Sequence, residues 1–146
     1  MNNNTHYYNV NVEWKEGRTG ILQSPELDDE LEVATPPEFA KGVAGIWSPE
    51  HYLVAAANSC LMTTFLAIAE NSKLNFTAFS SQAIGKLEII EGKFMISEIT
   101  FRPTITISHE EDREKAARIA IKSEAACLIS NSLKSAIHLE TVILVN

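Results

Sequence analysis

From Tyr52 to Ala69, eighteen consecutive residues pass without a charged side chain. That length sits at the lower limit for a helix that spans a bilayer. The run also contains Asn58, Ser59, Thr63 and Thr64 among small alanines. An apolar helix of this kind suits the buried central helix of a soluble fold better than a membrane span. Its start is signalled locally. Ser48 is a good N-cap, Pro49 fits the first helical position, and Glu50 favours the positive end of the helix dipole. Asn71-Ser72-Lys73 breaks the pattern, so a helix is predicted over residues 49–71 and the rest of the chain must pack around it.

The flanking sequence alternates in the manner of strands. Residues 7–14 read as one strand, Glu16 to Gly20 as a turn, and 20–24 and 30–34 as two short strands, which makes the first 35 residues a small β-meander. Pro36-Pro37, Gly42 and Gly45 mark a loop before the helix. Residues 76–90 and 93–107 read as two long strands joined at Glu91-Gly92, a two-residue hairpin signal. Pro103 within the second strand predicts an edge strand or a bulge. A second helix is expected to begin at a capping box of Ser108 and Glu111, with Glu114 and Arg118 as an i,i+4 pair. Ala117, Ala120, Ile121 and Ala125 give it an apolar stripe, and it ends near Cys127. Ser130-Asn131-Ser132 is turn-like, and residues 137–145 close the chain as a strand. The order predicts a single α+β domain over residues 1–146 with a mostly antiparallel sheet.

Composition narrows the function classes. Among the 146 residues, 45% are apolar and 21% charged, the range of a globular domain that can bury a core. A net charge of −7 disfavours nucleic acid and anionic membrane surfaces, both of which call for a basic face. The segment Met1 to His6 has neither a basic region nor an apolar run, so the expected location is the cytoplasm. His6, His51, His109 and His138 are scattered without a metal-ligand spacing to either cysteine, so no metal or other cofactor is expected. There is no glycine-rich phosphate loop and no Gly-x-Ser-x-Gly elbow.

The chemistry then rests on Cys60 and Cys127, the two cysteines of the chain. A cysteine inside an apolar helix is ordinarily a small core residue, and burial makes it inert by disfavouring the thiolate. A reactive cysteine needs something that holds its negative charge. Three sequence frames bear on this. Pro49-Glu50 opens the long helix ten residues before Cys60, Gly17-Arg18-Thr19-Gly20 forms an early turn, and Cys127 begins Cys-x-x-Ser130-Asn131 after the second helix.

In joint order and spacing these frames resemble the OsmC/Ohr family of thiol peroxidases over nearly the whole chain. The chain departs from that pattern at Leu128, where a proline is usual, at Ser48, where the organic-hydroperoxide subgroup has asparagine, and in a less glycine-rich loop over 42–47. The resemblance implies an intertwined homodimer of the OsmC-like fold. It implies that Cys60 is the peroxidatic cysteine and Cys127 the resolving one. Arg18 would contact the reactive sulfur and pair with Glu50. The substrate would be an organic hydroperoxide and the reductant a small dithiol or lipoyl group. In one continuous helix Glu50 and Cys60 stand about 15 Å apart along the axis, so either Arg18 bridges a long gap or a second subunit contributes, and the resemblance implies that Glu50 or Arg18 comes from the partner chain of an intertwined dimer. Trp47, Phe39, Leu61 and Phe65 are candidate walls of an apolar substrate pocket, although such residues more often belong to a core. The alternative reading is an OsmC-like stress-associated binding protein with weak or no peroxidase activity. A structural domain with two buried thiols is a third.

Overall fold

A computed structural model describes residues 4–146. The chain falls into two compact units, divided between Tyr52 and Leu53.

In the first unit, β1 (Asn11–Glu16), β2 (Thr19–Ser24) and β3 (Leu27–Ala34) form an antiparallel sheet in sequence order. This is the expected meander, although β1 begins four residues later than the alternation suggested. Gly17 turns the first hairpin at φ +53°, a left-handed conformation that costs glycine little. The loop that follows ends at Ser48, the N-cap of α1 (Pro49–Asn71). The Ser48 hydroxyl accepts the His51 backbone N–H at 3.1 Å, as an N-cap should. His51 returns the favour through Nδ1, which accepts the Ser48 backbone N–H at 3.2 Å and lies 2.6 Å from its hydroxyl. A histidine thus fills the role that glutamate or glutamine plays in a capping box.

The second unit holds the rest of α1 and a mixed sheet. The long strands β4 (Phe76–Ile90) and β5 (Lys93–Ile107) pair antiparallel through the predicted turn. Glu91 and Gly92 both have positive φ, 51° and 80°, the type I′ geometry whose twist matches a hairpin. The 3-10 turn Glu110–Asp112 leads into α2 (Arg113–Ala125). The closing segment forms two strands, β6 (Ala136–Leu139) and β7 (Val142–Val145), and both run parallel to β5.

The structure corrects three expectations. β5 is no edge strand, since β4 lies on one side and β6 and β7 on the other. Proline is accommodated because β6 pairing ends at Phe101 and β7 pairing begins at Thr104, so Pro103 falls in the gap between them. The Ser108–Glu111 capping box does not form, and neither start of the helical segment has a side-chain cap. Arg113 anchors it instead. Its guanidinium donates to both carboxylate oxygens of Glu110, at 2.8 and 3.1 Å, and to the Ile143 carbonyl at 3.1 Å. No ion pair joins Glu114 and Arg118 among the described residues.

α1 is long and apolar enough to cross a membrane by length and composition. In this unit its Ala57, Leu61, Phe65 and Ala69 are sunk in protein core instead. One cluster joins Phe65 and Ala69 to Leu74, Ile105, Ile107 and the Ala116–Ala120 face of α2. The other joins Ala57 and Leu61 to Ile99 and Phe101, with Ile129 and Leu133 against it. Burial is one-sided, because Met62 and Leu66 remain 39% and 41% exposed. Asn58 ties the helix to β4, donating to the Ser81 carbonyl at 2.9 Å and accepting the Ser81 hydroxyl at 2.7 Å.

Candidate functional site

Cys60 lies midway along α1 on its buried side, and Cys127 begins the turn that follows α2. Ile129, two residues after Cys127, packs against the cluster that contains Ala57 and Leu61 of α1, which keeps the Cys127 turn beside the helix. The Cys127 sulfur points at the turn of α1 that precedes Cys60, with its thiol 3.8 Å from the Ala57 carbonyl. Both cysteines are free, and each acts on the other's acidity. Cys60 is 9% exposed and Cys127 fully buried.

Their surroundings push the two thiols in opposite directions. Burial works to raise the Cys60 pKa, but the donors around it outweigh that effect and the net shift is downward. Those donors are the Ile129 backbone N–H, the Cys127 thiol, the Thr64 hydroxyl and the Leu128 backbone N–H. The Thr64 Oγ1 stands 3.9 Å from the Cys60 sulfur, one helical turn away. Hydrogen bonds given to a thiolate favour it, which is the reason the pKa falls. Cys127 goes the other way. Burial pushes it up, Ser130 pulls it down through its side chain and backbone, and the neighbouring Cys60 charge pushes it up again, leaving a net rise. The Ser130 hydroxyl donates to the Cys127 sulfur at 3.3 Å. The two neighbouring thiols therefore differ in acidity, Cys60 shifted down and Cys127 shifted up.

Arg18 and Glu50 belong to the first compact unit. Arg18 is exposed at the tip of the β1–β2 turn, where its carbonyl accepts the Thr35 N–H at 3.1 Å. Glu50 is half-buried in the first turn of α1. Among the described residues no ion pair joins the two.

The expected pocket walls divide. Trp47 is 55% exposed and packs on Tyr52 and His51, with ring centroids 5.5 and 6.0 Å apart. With Gly45, Ile46 and His51 it lines a shallow surface cavity of about 250 Å³. Phe39 is half-buried in the loop and bonds the Pro36 carbonyl through its N–H. Leu61 and Phe65 are each 1% exposed inside the core clusters, so they form the framework of α1 and offer no surface to a ligand. Among the described residues no cluster of three His, Cys, Asp or Glu side chains could hold a metal ion.

Sequence reasoning did not single out Thr64, and it took Ser130 only as part of the Cys127-x-x-Ser130 frame, with no role of its own. Both carried a signal. Thr64 is four residues after Cys60 on a helix, and Ser130 three residues after Cys127 in a helical turn, the spacings that place side chains on one face.

A family model described as OsmC-like protein matches residues 42–142. The uncharacterised protein YmaD of Bacillus subtilis is 23% identical over 140 residues, which span 92% of this chain and 91% of YmaD. An OsmC-like protein of unknown function from Vibrio cholerae superposes with a TM-score of 0.85 at 20% identity, covering 94% of this chain and 100% of its own. An organic hydroperoxide resistance protein from Elizabethkingia anophelis gives 0.78 at 19% identity, covering 99% of both chains. At these identities the two solved structures show a shared fold.

Proposed function

The chain belongs to the OsmC-like protein family, and from that premise we propose that it is a cysteine-based peroxidase that reduces organic hydroperoxides to alcohols. One observation carries the reading: two free cysteines lie side by side, with thiolate-stabilising donors gathered on Cys60 and burial shifting Cys127 the other way.

The Cys60 thiolate attacks the terminal oxygen of R–O–OH, the O–O bond breaks, and the alkoxide takes a proton to leave as the alcohol. Cys60 is then a sulfenic acid. The Cys127 sulfur attacks the Cys60 sulfur, an S–S bond forms, and the hydroxyl leaves with the Cys127 proton as water. A small dithiol or lipoyl-type reductant returns both thiols. In this reading the protein works in the cytoplasm as a homodimer, and Arg18, oriented by Glu50, faces Cys60 across the dimer interface. Arginine is permanently cationic, so it can hold the thiolate and a peroxide oxygen together. Val12 and Trp14, two residues apart on one face of β1 and both exposed, support a partner that covers that face. Trp47 and Phe39 are the candidate apolar contacts for the organic group.

Steady-state turnover of cumene hydroperoxide with a dithiol tests the proposal. The wild-type protein should turn over and Cys60→Ser should not. Equal turnover by the two would remove Cys60 from the chemistry. Arg18→Ala and Glu50→Gln should slow the first oxidation while leaving the fold intact by circular dichroism.

A further inference from the structure

Ser130 is buried, 5% exposed, and gives its hydroxyl proton to the Cys127 sulfur at 3.3 Å. The short turn that it opens, Ser130–Ser132, has Ile129 at its N-cap and no side-chain cap bond. A buried serine spends its hydroxyl where it is most useful, because an unmet donor is costly. The acceptor here is a fully buried sulfur that has to become an anion at one moment of the cycle. A thiolate forming at Cys127 meets a site with no solvent access, and Cys60 is the titratable group acting on it among the described residues.

Resting on the peroxidase reading above, we propose that Ser130 is a positioning residue for the resolving step: its hydroxyl holds the Cys127 sulfur in place and stabilises the thiolate through which that sulfur attacks the Cys60 sulfenic acid. The bond chemistry is the condensation already described. The Cys127 S–H proton and the Cys60 hydroxyl leave together as water, and the S–S bond replaces the S–OH bond. Ser130 contributes a hydrogen bond that strengthens as charge builds on sulfur, because bonds to ionised acceptors are roughly twice as strong as neutral ones. Cys60 keeps its donors from Ile129, Thr64 and Leu128 when the serine is removed, so the first oxidation depends on Ser130 less than the resolving step does.

The test uses the full-length protein with Ser130→Ala and Ser130→Thr. Each is reduced, mixed rapidly with cumene hydroperoxide, quenched and read for free thiols and intact mass. In Ser130→Ala the rate at which the first thiol is lost should change much less than the rate of disulfide formation. The disulfide should then form about tenfold more slowly, as expected for one lost hydrogen bond to a charged group. Excess peroxide should convert more Cys60 to the sulfinic acid, and the rate of disulfide formation should shift to higher pH. Ser130→Thr, which keeps the hydroxyl, should restore the fast step. A disulfide formed as quickly and with the same pH profile in Ser130→Ala overturns the proposal. A second measurement is independent of peroxide: ultraviolet titration of the Cys127 thiolate in Cys60→Ser, with and without Ser130→Ala. The titration should move up when the hydroxyl is removed, and an unmoved titration would also overturn the role. If wild-type Cys60 ignores hydroperoxide while Ser130→Ala still moves the Cys127 titration, the peroxidase reading fails and the Ser130–Cys127 coupling stands.

Discussion

Phe65→Ala separates two roles that a ring beside the reactive helix turn could have. In the structure Phe65 is 1% exposed, stacked on Phe79 with centroids 4.8 Å apart and edge-on to Phe76 at 5.1 Å. It belongs to the cluster that joins α1 to α2 and to Ile105 and Ile107 of β5. Truncating a fully buried phenylalanine removes its transfer free energy and leaves a cavity, together about 3–5 kcal/mol. Two ring contacts place this site toward the upper part of that range, since each pair adds about 0.5–1.5 kcal/mol beyond area alone. For a chain of this size the melting temperature should fall by roughly 2–4 °C per kcal/mol, hence by about 10 °C or more. Urea denaturation followed by circular dichroism gives the free-energy change, and a thermal scan gives the shift. The same variant, assayed at a temperature where it is folded, should keep its preference among hydroperoxides. A loss under about 1 kcal/mol, or a changed preference with stability intact, would refute the core assignment.

Other outcomes follow from the same geometry. Because the donors around Cys60 lower its pKa, its alkylation rate should reach half-maximum below the usual thiol range, and Cys127→Ala should move that midpoint upward by removing one donor. The linkage has a definite sign. The lowered Cys60 contributes stability that is present above its unfolded pKa and lost as pH falls through the folded one, so proton uptake there weakens the fold. Raised Cys127 contributes stability present below its unfolded pKa and lost as pH rises through the folded value, so alkaline denaturation should come later in Cys127→Ala. Cys127→Ser should permit one oxidation of Cys60 and then stall or over-oxidise, and normal multi-turnover activity would exclude Cys127 from the cycle. Gly92→Val should cost about 1–2 kcal/mol in urea denaturation, since a β-branched side chain would have to sit at φ +80°.

Much of this architecture was legible because the signals were local. Ser48, Pro49 and Glu50 mark the start of α1 through capping and dipole preferences, and Glu91-Gly92 marks a hairpin because its positive φ values admit few residues. What escaped depended on remote partners. Pro103 reads as an edge signal in isolation, yet the handover from β6 to β7 opens a gap for it in an interior strand. Ser108 and Glu111 have the spacing of a capping box, but Arg113 gains more from Glu110 and the Ile143 carbonyl, and the segment winds as a 3-10 turn first. The two cysteines stood out in sequence, whereas two of the donors that tune Cys60 are backbone N–H groups at Leu128 and Ile129, which no side-chain pattern announces. Leu61 and Phe65 were indistinguishable from pocket walls by residue type, and only their packing assigns them to the core.

The central claim, that Cys60 and Cys127 act as a peroxide-reducing pair, is tested most directly by rapid mixing of the reduced protein with cumene hydroperoxide and, separately, with hydrogen peroxide. Free thiols and intact mass are read after quenching. The account predicts fast loss of both thiols with the mass of two hydrogens removed, faster with the organic peroxide. Both thiols intact after minutes with either oxidant would contradict it.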